Sequence, residues 1–347
     1  MHYNYLGATN LQVCPLGLGT VQMGLPYGIG LTNPPSDQEC IGVLRHAMDA
    51  GINYFDTAPV YGRSEEIVGK AFSGLPNSRP IIATKFIIDQ QADTPPLRGK
   101  ALRQHIEKSV TESLTRLQLD ALDLVQFHNA QGDHIGPDFL ETMWDLSRRG
   151  LVKNWGATTY GEANAMDILS SGGDFRTLQT TYSLLDQRLE KRLFPMCKKR
   201  NTALILRSVF LKGILSDQAG ALPRELADLK SEAGKAAQIA AAVGLTLPQM
   251  ALRFAAFCPY ATVTLFGTTS ISETKANIEA LEEGPLPSEV LEQLNKLRID
   301  DEQLLAPVYS TPFTYWKILH AIAACNIINT NNIAYIVIFN NVACPFV

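Results

Sequence analysis

The chain has 347 residues, of which 46% are hydrophobic and 18% charged, and this composition is typical of a globular protein. Its formal net charge of −4 offers no basic surface for a nucleic acid or an anionic membrane, so we expect neither as a partner. The N-terminus lacks the basic and apolar regions of a signal peptide, and the six cysteines show no Cys-x-x-Cys spacing. These features predict reduced thiols, no metal site and a cytoplasmic location.

The first predicted element is a β-hairpin. Residues 3–16, YNYLGATNLQVCPL, alternate in polarity and turn at residues 7–10. Eight short apolar runs follow, and several are rich in β-branched or aromatic residues. Their length and composition predict strands that are buried on both faces. The runs cover residues 16–20, 52–56, 81–85, 122–128, 152–159, 177–182, 203–208 and 261–267.

Segments with helical spacing lie between these runs. Residues 36–51 begin with Ser36, carry Glu39 three positions later and end at Gly51, which indicates a capping box and a helix stop. Residues 103–119 repeat the apolar spacing. Eight strands alternating with helices predict a (β/α)8 TIM barrel, with the N-terminal hairpin capping its bottom. A doubly wound sheet is the alternative, but no G-x-G-x-x-G turn follows the first strand.

Two segments do not fit this alternation. Residues 209–235 add a long loop after the seventh strand, where barrels usually build a ligand site. The tail, residues 306–347, is rich in asparagine and poor in charge. Its uncharged stretch, residues 318–339, is long enough for a bilayer, but four asparagines interrupt it. We therefore predict one barrel domain over residues 1–305 and a tail that is not part of it.

Polar residues end three successive predicted strands. Asp56, Lys85 and His128 close the second, third and fourth strands, and Tyr61 follows Asp56 across a bend. Carboxyl ends of parallel strands converge on one mouth of a barrel, so we expect these four side chains to lie within reach of one another. Each has an ordinary explanation by itself, such as a helix cap or a core histidine. A lysine and a histidine at the ends of apolar strands nevertheless require partners.

The chemistry that this cluster supports is proton transfer. A tyrosine has a pKa of about 10, and a neighbouring lysine cation would lower it. We expect Asp56 to hold Lys85 charged, Tyr61 to donate the proton, and His128 to position a substrate oxygen.

The chain resembles the aldo-keto reductases over residues 3–305. The resemblance rests on YLGATNLQVCPLGLGT, FDTAPVYG, ATKF, LDLVQFH, VKNWGATTY, LQTTYSLLDQR and LFGTTSISETKANIEAL, and suggests a bacterial-type branch. It implies a (β/α)8 barrel, a nicotinamide cofactor and hydride transfer to or from a carbonyl. It also implies that Asp56, Tyr61, Lys85 and His128 are the catalytic residues.

The resemblance further implies a set of cofactor-binding positions. Thr158 and Thr159 replace the usual Ser-Asn pair, and Arg207 stands where many members stack a tyrosine on the nicotinamide. Arg207 could stack there or pair with a carboxylate. The implied cofactor-binding residues are Gly19, Thr20, Val21, Asp56, Thr158, Thr159, Gln179, Arg207, Ser208, Phe210, Leu211, Gly213, Leu215, Gly267, Thr268, Thr269, Glu273 and Asn277, with Lys212 in the same loop as Phe210.

We therefore expect an NAD(P)-dependent oxidoreductase that acts on an aldehyde, ketone or sugar hemiacetal. A cofactor-binding regulatory subunit is the alternative, and a metal-dependent hydrolase lacks a ligand set. Glu273 occupies a position where members that prefer NADP often carry a basic residue, which favours NAD. Oligomeric state has no signature in the sequence.

Overall fold

Eight parallel strands form a closed barrel in the computed structural model, which describes residues 2–27, 33–75, 79–88, 97–216 and 226–309, with only the backbone of 306–309. The strands follow one another in chain order, and the last pairs with the first to close the ring. They are β3 Leu16–Gly19, β4 Tyr54–Asp56, β5 Ile81–Phe86, β6 Leu124–Phe127, β7 Trp155–Thr158, β8 Phe175–Thr181, β9 Ala203–Arg207 and β10 Ala261–Gly267. The predicted (β/α)8 barrel is confirmed, and the doubly wound alternative is wrong.

The predicted N-terminal hairpin is also present. Its strands, β1 Asn4–Tyr5 and β2 Gln12–Val13, pair antiparallel. Leu6 and Val13 are fully buried and pack against an apolar layer inside the barrel that includes Tyr54, Leu124 and Val263. The hairpin therefore closes the end of the barrel at which the strands begin.

Helices pack around the barrel. The capping box predicted at Ser36 and Glu39 is present, and the helix predicted over 103–119 corresponds to α4, which begins at Gly99 and ends at Leu117. The helices are α1 Val21–Gly24, α2 Asp37–Asp49, α3 Ser64–Phe72, α4 Gly99–Leu117, α5 Pro137–Arg148, α6 Glu162–Ser170, α7 Leu193–Arg200, α8 Ala227–Ala242, α9 Leu247–Ala256, α10 Ile271–Glu282, α11 Ser288–Asn295 and α12 Glu302–Tyr309.

The end of the barrel domain, predicted at residue 305, falls inside α12. Leu305 is fully buried and belongs to the main hydrophobic core, so α12 packs on the barrel up to at least that residue. The rest of the tail, including the apolar stretch 318–339, lies outside the described residues. Within the described ranges no single helix is long and apolar enough to cross a membrane. Only the pair α8 and α9, bent by 92°, meets that criterion together, by length and composition.

The barrel interior changes from apolar to polar along its axis. The apolar layer near the hairpin gives way to a buried layer of Asp56, Lys85, Gln126 and Gln179 towards the carboxyl ends of the strands. Buried polar side chains are stable only when they are paired. This second layer therefore marks the end of the barrel where a functional site is to be sought.

Candidate active site

The centre of this layer is a buried ion pair between neighbouring strands. Asp56 ends β4 and pairs in register with Ala83, so Lys85 stands two residues further along β5. Lys85 Nζ lies 2.5 Å from Asp56 Oδ1 and donates a second hydrogen bond of 2.8 Å to the carbonyl of Thr57. The two charged side chains are 1% and 4% exposed. Such a pair is stable only with good geometry and further hydrogen bonds.

Those further bonds come from two glutamines. Gln126 Nε2 and Gln179 Nε2 donate to Asp56 Oδ2 over 3.0 and 2.8 Å. The carboxylate is thus held on both oxygens. Gln126 was not predicted from the sequence, although it is a polar residue two positions before His128 on an apolar strand and so points to the same side. Gln179 was predicted to contact a cofactor. In this structure its side-chain amide nitrogen donates to Asp56 instead.

Tyr61 and His128 complete the predicted cluster. The Lys85 ammonium lies 4.8 Å from the centre of the Tyr61 ring, and the Tyr61 and His128 rings are 6.1 Å apart at 88°. All four predicted catalytic residues therefore meet at one mouth of the barrel. The structure differs from the expectation in one respect, because Lys85 faces the Tyr61 ring while its described hydrogen bonds go to Asp56 and Thr57.

Burial governs the protonation states in this cluster. It raises the pKa of Tyr61, helped by the charge of Asp56, and lowers the pKa of His128 well below its usual value, helped by Lys85 and Arg207. Burial also lowers the pKa of Lys85, an effect that Asp56 opposes. The expectation that Lys85 would lower the pKa of Tyr61 is not met in this arrangement, because desolvation of the phenolate and the charge of Asp56 outweigh the cation of Arg207. At neutral pH the mouth therefore presents a phenol and a neutral imidazole.

A close contact between two loops delivers Tyr61 to the mouth. Gly62 has a φ of +59°, and a Cβ there would lie 2.5 Å from the carbonyl oxygen of Gly24. A Cβ on Gly24 would in turn overlap the carbonyl oxygen of Tyr61. Both glycines are thus required by the approach of one backbone to the other. The turn carrying Tyr61 is consequently held against the last residue of α1.

The first loop is anchored to the same region. Thr20 donates from its backbone nitrogen and its hydroxyl to the carbonyl of Asp56, over 2.9 and 3.0 Å. Its Oγ1 also lies 2.6 Å from Ser64 Oγ. Gly19 and Gly267 pair in register at the ends of β3 and β10. The Thr20 hydroxyl is bonded to Asp56 and Ser64 and is not available to a ligand. The predicted group of Gly19, Thr20 and Val21 therefore presents mainly backbone at the mouth.

On the opposite side, β7 and β9 bring the next predicted residues together. Thr158 Oγ1 accepts a bond of 2.9 Å from the backbone nitrogen of Asn129. Thr159 Oγ1 is buried and has no hydrogen-bond partner among the described residues. Arg207 donates to the carbonyl of Thr159 over 3.2 Å and stacks 4.1 Å from the centre of the Tyr160 ring. The sequence predicted that Arg207 would stack on the nicotinamide or pair with a carboxylate. In the structure its guanidinium stacks on Tyr160, a residue that was not predicted.

The loop after β9 has an unusual backbone. Ser208, Leu211 and Lys212 have φ values of 62°, 46° and 55°, which residues with a side chain rarely adopt. Such strain clusters at functional sites. Leu211 and Leu215 are fully buried, and Phe210 packs on the same core, so this predicted cofactor loop offers its backbone to a ligand.

Lys212, in the same loop, is the exception that offers a side chain. Its ammonium lies 5.6 Å from the centre of the Tyr27 ring. Burial, together with the charge of Arg207, lowers its pKa to about 8. It bridges the loop after β9 and the loop after α1.

The last predicted group surrounds the start of α10. Ser270 caps this helix, and its backbone nitrogen donates to Thr268 Oγ1 over 3.0 Å. Thr268 Oγ1 in turn donates to the carboxylate of Glu273, which is exposed in the first turn. Thr269 and Asn277 are half-buried on the same loop and helix. The predicted cofactor residues are therefore spread around one rim, from β3 through β7 and β9 to α10.

No group of three or more metal-ligating side chains occurs in the described ranges. The four cysteines in those ranges, at positions 14, 40, 197 and 258, are buried and form no disulfide there.

Comparison with known proteins agrees with this geometry. The sequence model of the Aldo/keto reductase family matches residues 15–299. Aldo-keto reductase YhdN of Bacillus subtilis is 31% identical over 221 residues, which are 62% of this chain and 64% of that protein. L-galactose dehydrogenase of Arabidopsis thaliana is 27% identical over 80% of this chain and 87% of its own length.

A solved structure, aldo-keto reductase AKR11C1 from Bacillus halodurans in its holo form, superposes with a TM-score of 0.73. It is 25% identical and covers 88% of this chain and 99% of its own. The closed barrel and the match of the family model to residues 15–299 identify the family. The chain belongs to the aldo/keto reductase family, whose oxidoreductases use nicotinamide cofactors and act on small carbonyl compounds.

Proposed function

We propose that this protein is an NAD(P)-dependent oxidoreductase that interconverts a small carbonyl compound, or a sugar hemiacetal, and its reduced or oxidised partner. The observation that carries the proposal is the buried Lys85–Asp56 pair beneath the Tyr61 ring, with His128 beside it. Proton-transfer groups in a desolvated site at the mouth of a barrel are typical of catalysis.

Each residue has a distinct part in the proposed reaction. Tyr61, a phenol at neutral pH, donates its proton to the carbonyl oxygen during reduction and accepts it during oxidation. Lys85 supplies positive charge as the phenol loses that proton, and Asp56 keeps Lys85 charged and oriented. The neutral imidazole of His128 donates a hydrogen bond to the carbonyl oxygen and so orients the substrate. A bound nicotinamide supplies or accepts the hydride.

The chain's own residues fit such a cofactor. The buried Thr159 hydroxyl without a partner is suited to a carboxamide, since an orphaned buried hydroxyl costs free energy that a ligand can recover. Gly19 and Gly267, which pair at the ends of β3 and β10, would offer backbone rather than side chains to a ribose at the rim. The strained backbone after β9, together with the Lys212 ammonium, suits the diphosphate.

Glu273 supports NAD over NADP. A carboxylate held by Thr268 at this rim would repel a 2′-phosphate of charge near −2, yet it can accept hydrogen bonds from ribose hydroxyls. An acid in the first turn is also favoured by the helix dipole, without any role in cofactor choice.

Measured Kd values for NADH and NADPH in the wild type and in Glu273→Arg separate these explanations. We expect the wild type to prefer NADH and the variant to shift towards NADPH. A wild type that binds NADPH tenfold more tightly than NADH, or an unmoved preference in the variant, would reject the idea.

A hydroxyl-rich substrate fits the mouth best. The Tyr27 ring lies against the Lys212 ammonium and the Tyr160 ring against the Arg207 guanidinium, so two further phenols belong to the loops around Tyr61. The relative named L-galactose dehydrogenase also supports a sugar hemiacetal.

The proposal is tested by NAD(P)H oxidation with a panel of simple aldehydes and by NAD(P)+ reduction with aldoses. Tyr61→Phe should bind cofactor normally and lose roughly two to four orders of magnitude in kcat. Tyr260→Phe, outside the site, is the matched control. Cofactor binding without turnover across the panel would instead favour a regulatory subunit, and near-normal turnover of Tyr61→Phe would remove Tyr61 from the mechanism.

A further inference from the structure

A second buried carboxylate lies just outside the barrel wall, behind the catalytic cluster. Glu65 is the second residue of α3 and lies four positions after Tyr61. It is only 1% exposed. In the sequence it belongs to the charged segment that follows Tyr61 and Gly62. A glutamate this deeply buried must be paired, because desolvating an unpaired carboxylate costs several kcal/mol.

Its two partners connect α3 to the strand that carries Lys85. Thr84 Oγ1 donates to Glu65 Oε1 over 2.5 Å, and Arg116 Nε on α4 donates to Oε2 over 2.6 Å. Thr84 immediately precedes Lys85 on β5, so the two side chains project from opposite faces of the strand. Glu65 thus joins the helix that follows Tyr61 directly to the neighbour of Lys85.

The preceding residue strengthens this connection. Ser64 Oγ lies 2.6 Å from Thr20 Oγ1 and 2.8 Å from Thr57 Oγ1, and all three residues are fully buried. Thr57 is the residue whose carbonyl accepts from Lys85. The first turn of α3 is therefore bonded through Ser64 to the residues that follow β3 and β4, and through Glu65 to β5.

Glu65 also contributes charge. Inside the barrel, Lys85 is faced by Asp56 from β4, by Arg207 from β9 and by the neutral Tyr61 and His128. Glu65 from α3 lies on the other side of β5, against Thr84. Burial lowers the pKa of Lys85, Asp56 opposes this shift, Arg207 adds to it, and Glu65 makes the smallest contribution, which raises the pKa. The counter-charge of Glu65 itself is Arg116.

We propose that Glu65 is a positioning residue for the catalytic cluster. Its carboxylate fixes the Tyr61 turn relative to Lys85 through Thr84, and its negative charge supports the charged form of Lys85. This role rests on the proposed function, because it presupposes that Tyr61 and Lys85 act together.

The test compares kcat and its pH profile in Glu65→Gln, Arg116→Met and the wild type, with cofactor Kd measured in parallel. We expect Glu65→Gln to lower kcat about 10- to 100-fold, the loss typical of displaced catalytic groups, with cofactor Kd within about twofold. The alkaline limb of its kcat–pH profile should move to lower pH, because the charge of Glu65 no longer raises the pKa of Lys85. Arg116→Met leaves Glu65 without its counter-charge, so its alkaline limb should move to higher pH.

Two further variants separate positioning from general damage. Thr84→Val, which removes the hydroxyl but keeps the shape, should lower kcat about tenfold, and Thr84→Ser should restore it. Asp123→Asn removes another buried carboxylate, bonded to Arg79 and Lys153 at the opposite end of the barrel, and should leave the pH profile unchanged.

Opposite shifts in Glu65→Gln and Arg116→Met support the role. Shifts in the same direction, no shift, or an equal shift in Asp123→Asn would overturn it. If Glu65→Gln or Arg116→Met does not fold, the comparison of Thr84→Val with Thr84→Ser decides, and an unchanged kcat in folded Thr84→Val overturns the role. A wild type without turnover refutes the proposed function, whereas an active wild type with unaffected variants refutes only the role of Glu65.

Discussion

Gly24→Ala tests whether the contact between the two loops positions Tyr61. The new Cβ would overlap the carbonyl oxygen of Tyr61 and lie 2.8 Å from the nitrogen of Ser64, whereas a real Cβ essentially never comes closer than 3.0 Å. Relieving the overlap requires the Tyr61 turn and α1 to separate by more than about 1 Å, because the Cβ would lie 1.7 Å from the oxygen, and this also strains the hydrogen bond from Ser64 N to Tyr61 O. A shift of this size can lower the rate about 100-fold.

We therefore expect kcat for aldehyde reduction to fall about 10- to 100-fold, and the free energy of unfolding to fall by about 1–3 kcal/mol from overpacking. Steady-state kinetics and urea denaturation measure the two effects. The control is Gly42→Ala in α2, where an added Cβ meets no atom within 4 Å. It should keep kcat and gain about 0.5–1 kcal/mol of stability. A kcat within about twofold of the wild type in folded Gly24→Ala would show that this contact does not position Tyr61.

Three other changes have defined outcomes. Deleting residues 311–347 should leave a folded, active barrel, since the described core is complete at α12; insoluble protein or lost cofactor binding would show that the tail belongs to the core or the site. Asp56→Asn should cost about 3–5 kcal/mol at pH 7, because it leaves the buried Lys85 ammonium without its carboxylate. It should then recover stability towards pH 10, because the unfolded chain binds the lysine proton more tightly than the folded variant; a deficit independent of pH in urea denaturation would contradict this. Lys212, with a pKa of about 8, should be roughly half neutral at pH 8 and react with an amine reagent before the exposed Lys198, as peptide mass spectrometry would detect; equal labelling would refute its lowered pKa.

The barrel was predictable from the sequence because each strand is a compact apolar run. The cluster was predictable because Asp56, Lys85 and His128 stand where such runs end. Their convergence follows from parallel strand order, and no long-range contact had to be guessed.

The supporting residues were not predictable in the same way. Glu65 reads as a solvated helix position until α4 brings Arg116 over it, and Gln126 has no visible partner until β4 and β8 close around it. The pKa of Tyr61 was predicted in the wrong direction for this arrangement, because burial depends on how all the loops assemble over the mouth. These features depend on contacts between residues that are distant in the chain.

The N-terminal hairpin has a consequence for the order of events during turnover. Among the described residues, Leu6 and the apolar layer above it close one end of the barrel, so that Lys85 is reached from the other end. A molecule that reaches Lys85 from this end of the barrel must also leave through it. If two ligands occupy the mouth together, the one bound deeper can neither arrive after the outer one nor depart before it, so the geometry imposes a sequence on association and release.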